Sequence, residues 1–171
     1  MLYNHLVQSI LSKTVDNKEL KKFDIKTSSY LHKYTKKNLI SDKQDNVFKY
    51  KLIHTPKQTV WASIPHKYQD GFKVFISTTD KYSVFIDNNT GMTQSIVFIL
   101  CDNEEQAIQY KNILEHPLYV FINNITRYGN FNCIRILQSF PIPDITIDQI
   151  DDIYKYFNIT MDEIEFINKH I

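Results

Sequence analysis

Glycine is scarce in this chain of 171 residues: three glycines and five prolines leave few places for backbone with positive φ, so loops needing it are few. A phosphate-binding loop or a dinucleotide-binding turn needs several closely spaced glycines, and three isolated ones exclude both. The two cysteines, Cys101 and Cys133, make no disulfide framework and form no Cys-x-x-Cys pair. They read as small apolar residues buried in a reducing compartment. No apolar run approaches the length of a membrane span, and the first residues lack the basic-then-apolar order of a secretory signal. The expectation is a soluble, intracellular protein, cytoplasmic in a prokaryote or in a virus-infected cell.

The six histidines lie far apart in sequence, and each reads as a surface or turn residue rather than a metal ligand. Glu19-Leu-Lys21 has only a superficial likeness to the end of a nuclease carboxylate–lysine motif. No clustered carboxylates accompany it, so a small nuclease is excluded. Acidic pairs such as Glu104-Glu105 and Asp151-Asp152 sit at helix starts, where the dipole accounts for them. No catalytic signature emerges, which favours a binding module.

The chain is rich in apolar and aromatic residues: 43% are hydrophobic, with eleven Tyr and eleven Phe. A chain of this size buries roughly two thirds of its unfolded surface, enough for a core without staples. Net charge is +1 but unevenly placed. Residues 1–70 carry thirteen Lys and six Asp or Glu, a balance of +7, whereas residues 71–171 balance at −6. A basic first part suits phosphate, although a solvated lysine-rich surface has the same composition.

Leu2, Leu6, Ile10 and Leu11 recur at helical spacing, which predicts a helix over 2–12. Residues 13–46 are polar and lysine-rich, fitting a short helix or an irregular arm. From residue 47 the period shifts towards two, with strands around 47–52, 59–62, 73–77, 82–86 and 95–100. Asn103 followed by acids opens a helix, Pro117 restarts another, and Thr146 and Thr160 begin two short helices in the tail. The fold class is α+β, a central mostly antiparallel sheet with helices at both ends. Its segments are a helical lysine-rich arm over 1–44, a core over 45–143 and a two-helix tail over 144–171.

Three polar stretches are not required by this patterning: Ser77-Thr-Thr-Asp-Lys81, Thr93-Gln-Ser95, and Asn123 to Asn132 with Arg127, one of only two arginines. Asn and Gln suit an adenine edge, Arg suits guanine, and Ser and Thr suit phosphates or bases. The same residue types also close turns and cap helices, so composition leaves both readings open.

These residues fall within an ordered series: Lys73-Val-Phe-Ile-Ser-Thr-Thr79, Gly91-Met-Thr-Gln-Ser-Ile-Val-Phe-Ile99, Leu114-Glu-His-Pro-Leu-Tyr119 and Phe121-Ile-Asn-Asn124. Arg127-Tyr-Gly-Asn-Phe131, Leu137-Gln-Ser-Phe-Pro-Ile-Pro143 and Asp162-Glu-Ile-Glu-Phe-Ile167 complete it. The series resembles the C-terminal target-recognition region of adenine-N6 DNA methyltransferases from restriction–modification systems, over residues 45–170. The Asn/Asp-Pro-Pro-Tyr/Phe loop of that family's catalytic half and its glycine-rich turn for S-adenosylmethionine do not occur in this sequence. The resemblance therefore implies double-stranded DNA recognition without methyl transfer by these residues. S-adenosylmethionine would enter only through a separate catalytic domain or subunit. It implies Lys73, Ser77, Thr78, Thr79, Lys81 and Tyr82, then Thr93, Gln94 and Ser95, then Arg127, Tyr128, Asn130, Asn132 and Arg135 as DNA-facing residues. The alternative is a protein-interaction module or decoy derived from such a domain, which binds a methylase, nuclease or host factor.

Overall fold

The computed structural model describes residues 5–171, so the part of the first predicted helix carried by Leu2 lies outside the described residues. The fold is α+β, with seven strands in two mostly antiparallel sheets and six α-helices among the described residues. Where one central sheet was expected, two are found. Strand β2 (Tyr50–Thr55) turns through Pro56 and Lys57 into β3 (Gln58–Ala62). These two, with β1 (Ile40–Ser41) and β6 (Gly91–Met92), make a sheet of order β1-β3-β2-β6, in which only the β2–β6 pairing is parallel. Strand β4 (Phe72–Ser77) lies between β5 (Val84–Asn88) and β7 (Ile96–Leu100) in the other, wholly antiparallel sheet.

Alternation along β4 fixes the layering. Val74 and Ile76 point with Val97 and Ile99 into the main core, beneath helices α2 (Glu104–Leu114) and α3 (Pro117–Thr126). Phe75, on the opposite face, packs with Phe98 and Ile96 against Ile53 and Met92 of the first sheet. Every residue of β4 after Phe72 is buried. The layers are therefore helices, then β5-β4-β7, then β1-β3-β2-β6. Burying a Val, Ile or Phe contributes roughly 1.5–3 kcal/mol, so a strand covered on both faces is the natural centre of the structure.

The predicted arm, core and tail share this one interior. Val7, Ile10, Phe23 and Ile25 join the same cluster as Ile153, Phe157 and Ile167. Helix α1 (His5–Lys13) lies on α6 (Met161–Asn168), where Lys13 Nζ reaches both oxygens of Glu163 at 2.9 and 2.7 Å. Glu163 also accepts from Thr160 N at 2.7 Å in a capping box, while Thr160 Oγ1 accepts from Glu163 N. Burial pushes the Glu163 carboxyl up, but the hydrogen bonds from Lys13 and its other donors hold it below its ordinary range. Residues 21–26 form no helix; they run past residues 140–142 and reach the edge strand β7 at Lys26. Lys26 exchanges backbone hydrogen bonds with Phe98 at 2.8 and 3.0 Å, and Phe23 N donates to Phe140 O at 2.9 Å. The pairing at Lys26 occupies the middle of the β7 edge, where another strand would otherwise add.

Remaining helices are short: α4 (Ile134–Leu137), then a 3-10 stretch (Ile147–Asp152) running into α5 (Ile153–Tyr156). Among the described residues no helix is long and apolar enough to cross a membrane.

The parallel pairing of β6 with β2 depends on Gly91. A Cβ there would sit 2.5 Å from His66 Cβ and 2.7 Å from Leu52 Cδ2. Gly91→Ala should therefore destabilise the protein by roughly 2–3 kcal/mol through overpacking, read as a lower urea midpoint at unchanged slope.

Candidate nucleic-acid interface

Residues 78–83 connect β4 to β5, and a second loop, 127–132, holds them from outside. Asp80 adopts φ +61°, a left-handed conformation that Asp tolerates better than most side chains. Its N–H donates to Asn130 O at 2.8 Å, and Arg127 Nη2 donates to its carbonyl at 2.6 Å. Asn132 N donates to Thr78 O at 2.9 Å, and Thr79 forms a bridge with Phe131. The two loops thus form one rigid tip.

Beneath this tip lie several residues expected to face DNA, and the structure corrects that expectation. Asn132 is 3% exposed; its Nδ2 donates to Ser77 O at 2.7 Å and its Oδ1 accepts from Asn123 Nδ2 at 3.0 Å. Ser77 Oγ donates to Lys81 O and accepts from Ser83 N, each at 2.9 Å. Thr78 Oγ1 donates to Ser95 O at 2.7 Å, fastening the tip to the start of β7. Tyr82 is buried and donates its hydroxyl to Leu114 O, at the end of α2. Thr93 is buried, its Oγ1 lying 2.7 Å from His54 Nδ1. Each group meets its polar partner inside the protein, because an unpaired buried hydroxyl or amide would cost about 1–3 kcal/mol.

Lys73 is the clearest correction. Its position on β4 buries it completely, and its ammonium donates to the carbonyls of Gln69, Asp70 and Gly71 at 3.2, 3.0 and 2.9 Å. Burial pushes the ammonium down to about 8, against the pull of Asp70 and Asp87. It ties down the entry to β4 and has no donor left for a phosphate. Gln94 and Ser95 are half-buried, and Gln94 Oε1 accepts from Lys33 N at 3.0 Å.

The remaining expected residues stay at the surface, and all but Arg135, which lies in α4, come together on the two loops. Lys81, Asn130 and Arg135 are exposed, Tyr128 is 86% exposed, and Thr79 and Arg127 are half-buried. Two residues that were not singled out belong with them. Phe131 is 61% exposed beside Thr79, and Lys57, in the β2–β3 turn, is ion-paired with Asp80 at 3.2 Å. That ion pair and its hydrogen bond hold the Asp80 carboxyl below its ordinary range. Phe131 carries a readable signal: it is an aromatic in a Gly-Asn loop with no helix or strand period. Lys57 carries none beyond its place after Pro56. Between the two turns opens a cleft of about 290 Å³ lined by Thr55, Pro56, Lys57, Thr79, Asp80, Lys81 and Ser83.

The lysine-rich first segment divides. Lys13 is taken by Glu163, Lys51 pairs with Asp87 at 2.8 Å, and Lys22 donates to the carbonyls of Thr14 and Val15. Lys36, Lys37 and Lys43 are exposed near Tyr34, whose ring stands edge-on to His54 at 6.1 Å.

Among the described residues no group of three His, Cys, Asp or Glu side chains could hold a metal ion. The histidines were expected at the surface or in turns: His54, His66 and His116 are buried, although His66 opens the turn to Gln69 and His116 caps α3. His66 Nδ1 accepts from Tyr68 N at 2.9 Å, and His116 Nδ1 accepts from Leu118 N at 3.2 Å as the cap of α3. Burial, chiefly, pushes both rings down to about 4. Cys101 and Cys133 are free and half-buried rather than fully buried, and burial pushes the Cys101 thiol up to about 11. The chain matches no protein-family model and no curated protein.

Neutral buried rings bind fewer protons folded than unfolded. Stability should therefore fall as pH drops below about 6.5 and level off below about 4, by on the order of 2–3 kcal/mol per ring for His66 and His116. His116→Asn keeps the cap acceptor but removes one titrating ring, so urea midpoints across this range should show a shallower acid limb. Arg127→Ala removes the clamp on Asp80, and amide exchange at Asp80 and Asn132 should quicken about tenfold while core amides are unchanged.

Proposed function

We propose that the tip formed by residues 78–83 and 127–132 binds DNA, and that the chain is a sequence-recognition module without a methyl-transfer centre of its own. The observation that carries this reading is the meeting of the two loops. Their buried polar side chains lock the backbone, which leaves Lys81, Asn130, Tyr128 and Phe131 exposed on the same two loops, with Lys57 of the neighbouring turn beside Asp80. Cations position the phosphate backbone, and an amide beside them can read a base edge. The exposed lysines near Tyr34 would add affinity that is independent of sequence and lost as salt rises.

The resemblance to target-recognition regions of adenine-N6 DNA methyltransferases supports the same reading. A separate catalytic domain or subunit would then hold S-adenosylmethionine and the target adenine. A second reading, binding of a methylase, nuclease or host protein, is favoured by the exposed carboxylates of Asp144, Asp148, Asp151 and Asp152 in the tail.

Selection from randomised duplexes at low salt should enrich a short motif. Lys81→Ala should weaken binding to all sequences alike and reduce the salt slope by about one, whereas Asn130→Ala should flatten preference at one position. Absence of any enriched sequence, with a protein partner co-purifying and elution from heparin at low salt, would replace the first reading with the second.

A further inference from the structure

We infer that the cleft between the β2–β3 and β4–β5 turns receives one unpaired nucleotide, while Tyr128 and Phe131 stack on the bases beside it. This deepens the DNA-binding reading and rests on it: the interface prefers a strand with an unpaired base over a continuous duplex.

Size sets the first limit. A cleft of about 290 Å³ lies at the small end of ligand sites, which begin at roughly 300 Å³. It holds a single base with its sugar and excludes a helix or a stretch of paired strand. Its composition suits such a guest. Pro56 and the alkyl stems of Lys57 and Lys81 supply apolar walls for a flat ring. Thr55, Thr79 and Ser83 offer hydroxyls and Asp80 offers a carboxylate to its edge. Lys81 is exposed and its ammonium can meet a flanking phosphate, whereas the Lys57 ammonium, although its side chain is 86% exposed, would first have to leave Asp80.

Neighbouring aromatics give the second, independent argument. Phe131 bridges through its backbone both to Thr79 on the cleft wall and to Tyr128, yet 61% of Phe131 and 86% of Tyr128 is open to solvent. Neither ring serves the core. Bases within a duplex are stacked on one another and offer only their edges in the grooves, whereas unpaired bases offer the faces on which aromatic rings stack. Rings placed beside a base-sized cleft therefore match single-stranded or locally opened nucleic acid. Asp80 lines the cleft in a left-handed conformation, pinned by Arg127 on its carbonyl and by the Asn130 carbonyl on its N–H, so that wall is fixed before anything enters.

The test uses the full chain and three labelled DNAs: a perfect duplex, the same duplex with one extra unpaired adenine, and a single strand of equal length. Fluorescence anisotropy at low salt should show the bulged and single-stranded probes bound about tenfold more tightly than the perfect duplex. Tyr128→Ala and Phe131→Ala should each lower affinity for the bulged and single-stranded probes about tenfold and for the perfect duplex by much less, so that the preference between probes narrows. Both rings are exposed, so neither change opens the core. Thr79→Trp, which fills the cleft from its rim, should act in the same direction. Perfect duplex bound as tightly as the other probes, with these variants silent, overturns the inference and leaves the DNA-binding reading standing. No binding to any of the three overturns both.

Discussion

The structure is organised around a strand that cannot face water on either side. Val74 and Ile76 require cover on one face of β4 and Phe75 requires it on the other. Helices supply the first cover and the β1-β3-β2-β6 sheet supplies the second, and the remaining elements are placed by those two demands. The one charged residue on that strand, Lys73, is tolerated because its three N–H donors each find a backbone carbonyl. Burial of a cation is otherwise expensive, and here the hydrogen bonds offset the lost hydration.

Wherever the signal is local, the sequence announces the element. Asn103 accepts from Gln106 N at the start of α2, and Thr160 with Glu163 closes the capping box of α6, both within one turn of chain. Apolar runs such as Ile96–Leu100 read as strands for the same reason. Residues 13–46 gave no such reading, because what orders them is distant: Lys26 pairs with Phe98, and Phe23 with Phe140. The two sheets were merged because every strand is similarly apolar, and only the pairing partners separate them. At the candidate site, residue type alone could not distinguish a base-reading Asn or Thr from one closing a loop. Asn130 and Asn132 are neighbours of like chemistry, yet one is exposed and the other is 3% exposed among Ser77 and Asn123.

That contrast describes how the tip is built. Arg127 and Asn132, at the two ends of 127–132, turn inward to fix the backbone, while Tyr128, Asn130 and Phe131 between them stay exposed, so the inward pair sets the geometry of the outward set. Arg127 belongs to both: its guanidinium holds Asp80 while remaining half-exposed. Ordering the loops before binding lowers the entropy lost on association.

The ion pair between Lys13 and Glu163 joins the first described helix to the last. Helices α1 and α6 lie side by side, so the layers are closed at this seam by contact rather than by continuity. Linking α6 back to α1 and opening the exposed turn at Asn88 and Asn89 would cost the hydrogen bonds that Asn89 makes with Gly71 and Gln69 and leave the apolar contacts of the three layers in place. The order in which the elements follow one another is one of several that satisfy this interior.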